Sequence, residues 1–583
     1  MIKLEIDDQK IEVKKGTTVL EAARKLGIDI PTLCYLQDIN VEGACRVCLV
    51  EIKGDPKLRP ACITRAGEGM KVRTSTPGVI RARKQMIELL LSDHPFSCLT
   101  CIANQNCELQ RLAKEYDIRE LKYTGERRQL SIDDLSPSIV RDPNKCILCR
   151  RCINVCKKIV SAGIYDVNER GFNAFAAPAL NESYLETPCT FCGQCILACP
   201  TGALSEKRED SELVWQALAD PDKQVVVQTA PSIRATLGEM FDLPLGALVT
   251  GKMITALKRL GFDGVFDNCF AADVVVMEES SELIKKLEDG DKLPMFTSCC
   301  PGWIKFAENF YPELLPYISS MRSPQQTFGI LSKTYYADYT GIKPENIYCV
   351  SIMPCIAKKF EARRPEHMVK GRPMVDAVLT TRELGQMIGK AGIKLEELPE
   401  GEYDDPMGYA SGAGIIFGAG GGVMEATMRT AYEKLSGREM QEKEYKVIRT
   451  DTVKIVEVNV DDRQLRLAAI RGLGQARGVL DSILRGEEEF HFVEIMACPA
   501  GCVGGGGQPI YSHEDDWYLH VDAGHIRGQA LFAADEARQV RTSHKNPWIE
   551  KLYKNFLGQP LGQKSRELFH TDYTQRSLYE KKS

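Results

Sequence analysis

Three things are scarce or missing in this 583-residue chain, and each removes a class of function. There is no excess of charge of one sign. With 75 Lys and Arg against 80 Asp and Glu, neither a nucleic-acid partner nor a polybasic membrane anchor is expected. There is no long apolar run either. The least charged stretch, from Tyr409 to Met424, is glycine-rich and too short and polar to span a bilayer. The first residues, Met-Ile-Lys-Leu-Glu-Ile, lack the basic-then-apolar order of a secretion signal, which makes a reducing cytoplasm the expected location.

What the chain has in abundance is cysteine, 22 in all. A secreted disulfide scaffold would be short and cysteine-dense throughout. Here most of the thiols fall in tight C-x-x-C groups, the spacing that metals require. The length predicts about three to five domains.

Residues 1–77 read as a small β-rich module of β-grasp ferredoxin type. Ile2–Ile6 and Ile11–Val13 alternate as a hairpin, and Thr18-Val-Leu-Glu21 is a capping box whose helix Gly27 can close. Residues 78–122 open with a helix over 78–93, with Ile80, Ile87, Leu90 and Leu91 on one face and a stop at Pro95. A polar linker follows near Tyr123–Pro137, then residues 138–208 with two cysteine runs that form an internal repeat. From Glu209 to about 530, short apolar runs (Val225–Val227, Val274–Val276, Leu293–Phe296, Ile347–Met353, Phe492–Met496) alternate with helical stretches such as Met253–Leu260 and Thr381–Ile388. The predicted class is therefore multidomain α/β, with small iron–sulfur modules ahead of a two-lobed α/β domain and a wrapping tail over 531–583. Three of the predicted strands run directly into cysteines, which places those thiols at carboxyl ends of strands, where α/β folds build their sites.

The repeated run is Cys146-x2-Cys149-x2-Cys152-x3-Cys156 and Cys189-x2-Cys192-x2-Cys195-x3-Cys199-Pro200. Three thiolates of each run surround one cubane, while the fourth reaches the other cluster. That assigns Cys146, Cys149, Cys152 and Cys199 to one [4Fe–4S] cluster, and Cys189, Cys192, Cys195 and Cys156 to a second. Cys34, Cys45, Cys48 and Cys62 keep a close C-x-x-C pair with distant partners, as a [2Fe–2S] centre does, with zinc as the alternative. His94 precedes Cys98, Cys101 and Cys107, three thiols without a fourth, and its imidazole can complete a further [4Fe–4S] site. A lone histidine at a helix end is otherwise a solvated cap. Taken together, these modules resemble the large iron–sulfur subunit of respiratory complex I. Alone they describe an electron-transfer subunit.

The second half carries Thr297-Ser-Cys-Cys-Pro-Gly-Trp303, Met353-Pro-Cys-Ile-Ala-Lys-Lys-Phe-Glu361 and Glu494-Ile-Met-Ala-Cys-Pro-Ala-Gly-Cys-Val-Gly-Gly-Gly506. These resemble the three motifs of the [FeFe]-hydrogenases, and with them the resemblance covers nearly the whole chain. It implies reversible formation of H2 from protons and electrons at an H-cluster, a [4Fe–4S] cubane held by Cys300, Cys355, Cys498 and Cys502. Cys502 is shared with a diiron subcluster carrying CO, cyanide and a dithiolate amine. It also implies that Cys299 is the last proton donor, with a relay outward through Glu279, Ser319 and Glu282. Lys358 and Ser232, with the backbone at Ala230 and Pro231, would face the cyanides, and Gln325, Met353 and Met496 the CO ligands. Without the resemblance, Glu279 and Glu282 read as solvated surface carboxylates, Cys299 as a small buried hydrophobe, and the rest as core. Cys269 and Cys349 fall outside every cluster pattern and read as buried structural cysteines.

No Gly-x-Gly-x-x-Gly lies in a strand–turn–helix setting, so a nicotinamide or flavin site is not expected on this chain. The complex-I-like front end resembles that of multimeric, NAD(P)-linked or electron-bifurcating hydrogenases. That implies a flavin- and NAD(P)H-binding iron–sulfur subunit and a thioredoxin-like [2Fe–2S] subunit as partners, with ferredoxin the alternative donor. The tail around Asn546–Tyr553 resembles a hydrogenase small subunit fused in cis, and no cysteine follows Cys502. Three competing readings are a complex-I-type electron-transfer subunit, a hydrogenase-like iron–sulfur assembly scaffold and a hydrogen sensor.

Overall fold

The computed structural model describes residues 1–369, 371–441, 445–449, 452–510 and 521–578. The predicted tail's last residues, 579–583, and residues 511–520 of the predicted two-lobed α/β domain lie outside these. The N-terminal hairpin pairs Ile2–Ile6 with Gln9–Val13 and belongs to a five-stranded mixed sheet. Thr18 and Glu21 form the expected capping box on helix Val19–Lys25, and Gly27 follows it at positive φ. The helix over Pro77–Ser92 forms as expected, but its buried face is Val79, Arg83, Ile87 and Leu91. Ile80 points to solvent.

The second half is mixed α/β with two sheets. One has four parallel strands, in the order Gly264–Asp267, Gln224–Thr229, Ile347–Met353, Ala377–Thr380. The other has five strands. Met295–Phe296, Phe492–Met496 and Arg463–Arg471 run parallel, and Val453–Val460 and Tyr445–Arg449 continue the sheet antiparallel. Parallel central strands are buried on both faces, which is why they read as unbroken apolar runs. The predicted strand Val274–Val276 is wrong. Those valines lie in the middle of helix Asn268–Asp289, where all three are fully buried.

Three strands deliver cysteines as anticipated. Met295–Phe296 leads to Cys299 and Cys300, Ile347–Met353 to Cys355, and Phe492–Met496 to Cys498. Because the first and third belong to one sheet and the second to the other, the thiols meet between the two sheets, beyond their carboxyl ends. The C-terminal segment packs into the lobe of the four-stranded sheet, with Ile549, Leu552 and Phe569 buried in its core. Each such side chain contributes about 1.5–3 kcal/mol of burial.

Candidate active site and cluster chain

Between the sheets lies a cavity of about 80 Å³, lined by Cys300, Cys355, Cys498 and Cys502 together with Cys299. One water needs only about 10–15 Å³, so the space suits a larger guest. Ala230, Pro231, Ser232, Gln325, Met353, Lys358 and Met496 line it too, so every residue anticipated around the diiron ligands reaches one space. The walls are mostly apolar. Two cavity-lining acceptors, Gln325 Oε1 and Asn268 Oδ1, are buried without a donor. The glycines after Cys502 permit the close approach expected of them. A Cβ at Gly505 would strike the carbonyl of Pro354, and one at Gly506 the carbonyl of Cys192.

Lys358 is buried, and its ammonium lies 3.0 Å from both oxygens of Glu361 and 3.0 Å from the Cys299 carbonyl. Burial works against its charge, but the Glu361 carboxylate outweighs that and holds its pKa above the ordinary lysine value. The lysine's counter-ion is thus within the chain, a pairing that the sequence reasoning did not make. Ser323 Oγ and Gln325 Nε2 also donate to Glu361, at 2.8 and 2.9 Å. A second residue missed is Gln508. Its Nε2 donates to Ser232 Oγ and to the Cys502 carbonyl, both at 3.2 Å, while Thr381 Oγ1 donates to its Oε1 at 2.7 Å. It lies two residues beyond the motif that ends at Gly506, where no spacing rule marks it.

On the other side of Cys299, Glu279 is fully buried, against the plain expectation of a solvated carboxylate. Burial first, and then the charge of Glu282, push its pKa up to about 8. Ser298 Oγ donates to Glu279 Oε1 at 3.4 Å, while Oε2 is buried without a partner. Ser319 Oγ donates to Glu282 Oε2 at 2.9 Å, and the Glu282 side chain is partly exposed. Burial, and then the neighbouring Glu279 carboxyl wherever that is ionised, pushes the Cys299 thiol well above its ordinary pKa. These groups grade from a dry interior towards water.

Two further groups of cysteines line closed spaces. One cavity of about 30 Å³ is lined by Cys146, Cys149, Cys152 and Cys199. Another, of about 20 Å³, is lined by Cys156, Cys189, Cys192 and Cys195. Cys192 also lines the large cavity. Cys34, Cys45, Cys48 and Cys62 are all buried, with Cys48 and Cys62 sulfurs 3.3 Å apart. Asn40 Nδ2 donates to the carbonyls of Cys34 and Cys149, at 2.5 and 3.0 Å, tying this group to the first repeat. Cys98, Cys101 and Cys107 lie nearer the surface, and Glu108 N donates to the Pro200 carbonyl at 3.0 Å, beside Cys199. His94 Nδ1 is buried without a partner. Burial, then the charge of Lys145, lowers the His94 pKa to about 4, so the ring is neutral, as a metal ligand must be. Cys269 and Cys349 are fully buried as expected.

Thiols ringing closed spaces are the donor set that iron–sulfur clusters take, and a buried imidazole nitrogen without a partner is a donor of the same kind. Residues 223–506 match the family described as iron only hydrogenase large subunit, C-terminal domain. Residues 1–77 match a 2Fe-2S iron-sulfur cluster binding domain and 145–204 a 4Fe-4S dicluster domain. Residues 83–122 match the NADH-ubiquinone oxidoreductase-G iron-sulfur binding region, and 522–576 the iron hydrogenase small subunit. The chain therefore has the make-up of an iron–sulfur oxidoreductase with a hydrogenase core. It is 47% identical to the NADP-reducing hydrogenase subunit HndD of Solidesulfovibrio fructosivorans, over 99% of each chain. It is 41% identical to iron hydrogenase 1 of Clostridium pasteurianum, over 97% of this chain and 99% of that one. Among solved structures, a variant of apo [FeFe]-hydrogenase HydA1 from Chlamydomonas reinhardtii matches with a TM-score of 0.55 at 41% identity. That match covers 62% of this chain and 99% of the other. The chain belongs to the iron-only, or [FeFe], hydrogenases. The complex-I-type electron-transfer reading falls away, because the hydrogenase match takes in the catalytic half and the full-length relatives are hydrogenases. Among the described residues no helix is long and apolar enough to cross a membrane.

Proposed function

We propose that this iron hydrogenase is the catalytic subunit of a multimeric, NAD(P)-linked complex, with electrons relayed along its own iron–sulfur clusters. The observation that carries the catalytic part is the cavity in which Cys300, Cys355, Cys498 and Cys502 meet beside Cys299 and Lys358. Those four thiolates would hold the cubane, with Cys502 shared with the diiron unit. When bound, that cofactor supplies the interconversion of two protons and two electrons with H2.

The chain's own residues then have separable tasks. Lys358 and Ser232, with the backbone at Ala230 and Pro231, offer polar contacts to anionic ligands of the cofactor, and Glu361 and Gln508 hold those two side chains. Met353, Met496 and Gln325 wall the cavity and keep water out. Cys299 gives or takes the proton, which needs a group that reaches the reacting atoms before any question of acidity arises. Glu279, Ser319 and Glu282 carry protons between Cys299 and solvent. Cys146, Cys149, Cys152 and Cys199 would ligate one [4Fe–4S] cluster, and Cys156, Cys189, Cys192 and Cys195 the second. His94 with Cys98, Cys101 and Cys107 would hold a third, and Cys34, Cys45, Cys48 and Cys62 a [2Fe–2S] centre. Such clusters reach about −400 mV and below, which suits proton reduction.

The full-length likeness to a subunit of an NADP-reducing hydrogenase supports a flavin- and NAD(P)H-binding iron–sulfur subunit and a thioredoxin-like [2Fe–2S] subunit as partners, in a cytoplasmic complex. The decisive experiment is infrared spectroscopy after loading with the diiron cofactor. Bands of iron-bound CO and cyanide are expected, and their absence would overturn the assignment. Purification of the native complex should bring down a flavoprotein. Recovery of the chain with ferredoxin alone would overturn the multimeric reading.

A further inference from the structure

The buried carboxylate of Glu278 has no task in the chemistry above, yet four donors converge on it. Tyr553 Oη and Ser565 Oγ donate to its Oε1, each at 2.5 Å. The Leu561 N–H and His570 Nε2 approach its Oε2 at 2.8 and 3.4 Å. All four come from the C-terminal segment. Burial alone would raise the pKa of Glu278, but the donors bring it below the ordinary carboxylate value. Of the charged groups near it, His570 is in contact, and Lys434 lies further off on a neighbouring helix.

Two features make this more than a fastening. Glu278 precedes Glu279 on helix Asn268–Asp289, which also carries Glu282. In addition, the same segment grips the other half of the relay. With its Nε2–H turned to Glu278, the His570 ring accepts from Ser320 Oγ through Nδ1 at 2.7 Å. Thr571 N donates to the Ser320 carbonyl at 2.8 Å, and Arg322 N to the Phe569 carbonyl at 2.7 Å. Residues 319–322 are thereby held on both sides. Ser319 N donates inward to the Phe296 carbonyl at 2.8 Å, while the C-terminal segment covers the outside.

We infer that Glu278 and the C-terminal segment Tyr553–Thr571 form a positioning clamp for the proton relay, fixing Glu279 and Glu282 on one element and Ser319 on the other at hydrogen-bonding range. The inference rests on the proposed relay. It gives the small-subunit portion of the chain a part in turnover, through Glu278 and His570 as positioning residues.

The test uses matured holoenzyme of Glu278→Gln and His570→Gln, with infrared bands confirming that the cofactor is loaded. Misplacing a proton-transfer group by a fraction of an ångström slows the step steeply, so turnover should fall about tenfold. The solvent isotope effect on kcat should rise, while KM for the electron donor stays put. Arg576→Ala loosens the same segment at Glu308, away from the relay, and should leave turnover and isotope effect unchanged. Where Glu278→Gln does not fold, Ser565→Ala and His570→Gln each remove a single donor and carry the comparison. Wild-type turnover and isotope effect in the clamp variants, with Glu279→Gln strongly impaired, would overturn the clamp and leave the relay standing. If Glu279→Gln itself kept wild-type turnover, the relay would fall and the clamp with it.

Discussion

Both carboxylate oxygens of Glu361 lie 3.0 Å from the ammonium nitrogen of Lys358, three residues earlier on helix Ala357–Ala362. An ion pair this deep is costly to bury and costlier to break. Glu361→Gln should therefore lower stability by about 3–5 kcal/mol, because it leaves the lysine charge uncompensated. Denaturant unfolding of protein lacking the diiron unit measures this. Adding Lys358→Met should recover a large part of the loss, and strict additivity of the two changes would count against a coupled pair.

Cys299 borders the cavity but stands outside the four-thiol set. Cys299→Ser should abolish most turnover while infrared bands of CO and cyanide persist, since no ligand has been removed. Near-normal H2 evolution by the variant would show that the proton takes another route.

Glu279 ties stability and activity to pH with a definite sign. Its folded pKa, about 8, exceeds the ordinary 4.5. The folded state then holds a proton that the unfolded state has lost, so this contribution is complete below about pH 4.5. It declines as pH rises and is gone above about 8. Glu279→Gln should flatten that decline in denaturant titrations. In turnover, the limb near pH 8 should vanish along with most of the rate.

The crossed cysteine assignment makes a prediction opposite to that of two independent runs. Cys199→Ala should cost iron at the site of Cys146, Cys149 and Cys152, about four irons if the cluster is lost, and spare that of Cys189, Cys192 and Cys195. Cys156→Ala should do the reverse. Electron paramagnetic resonance of the reduced protein separates the two, and loss of the cluster within the mutated run would refute the crossing.

Ligand spacing survives in sequence because a cluster is small and its nearby thiols must be close along the chain. The strand-end cysteines were also legible, since short apolar runs stopped just before them. Helix Asn268–Asp289 was not. Its middle is buried all round, so no polar phase betrays the helical period, and three successive valines favour a strand reading. Ile80 was misplaced for a related reason, because Val79 beside it is equally apolar and the helix buries only one of them. Glu361 and Gln508 owe their roles to neighbours brought in by folding. The donors on Glu278 lie some 275 to 292 residues away in the chain, where no local pattern reaches.

Cys192 belongs to two walls at once, that of the inner ferredoxin-type cavity and that of the catalytic cavity. The two spaces share this side chain as a wall, in a dry interior where charges are weakly screened. An electron resting on one centre must then raise the cost of placing another next door. Reduction steps seen in a titration will belong to the coupled couple, not to either centre alone. Anyone seeking to retune the last hop must treat the two sites as one redox unit joined at Cys192.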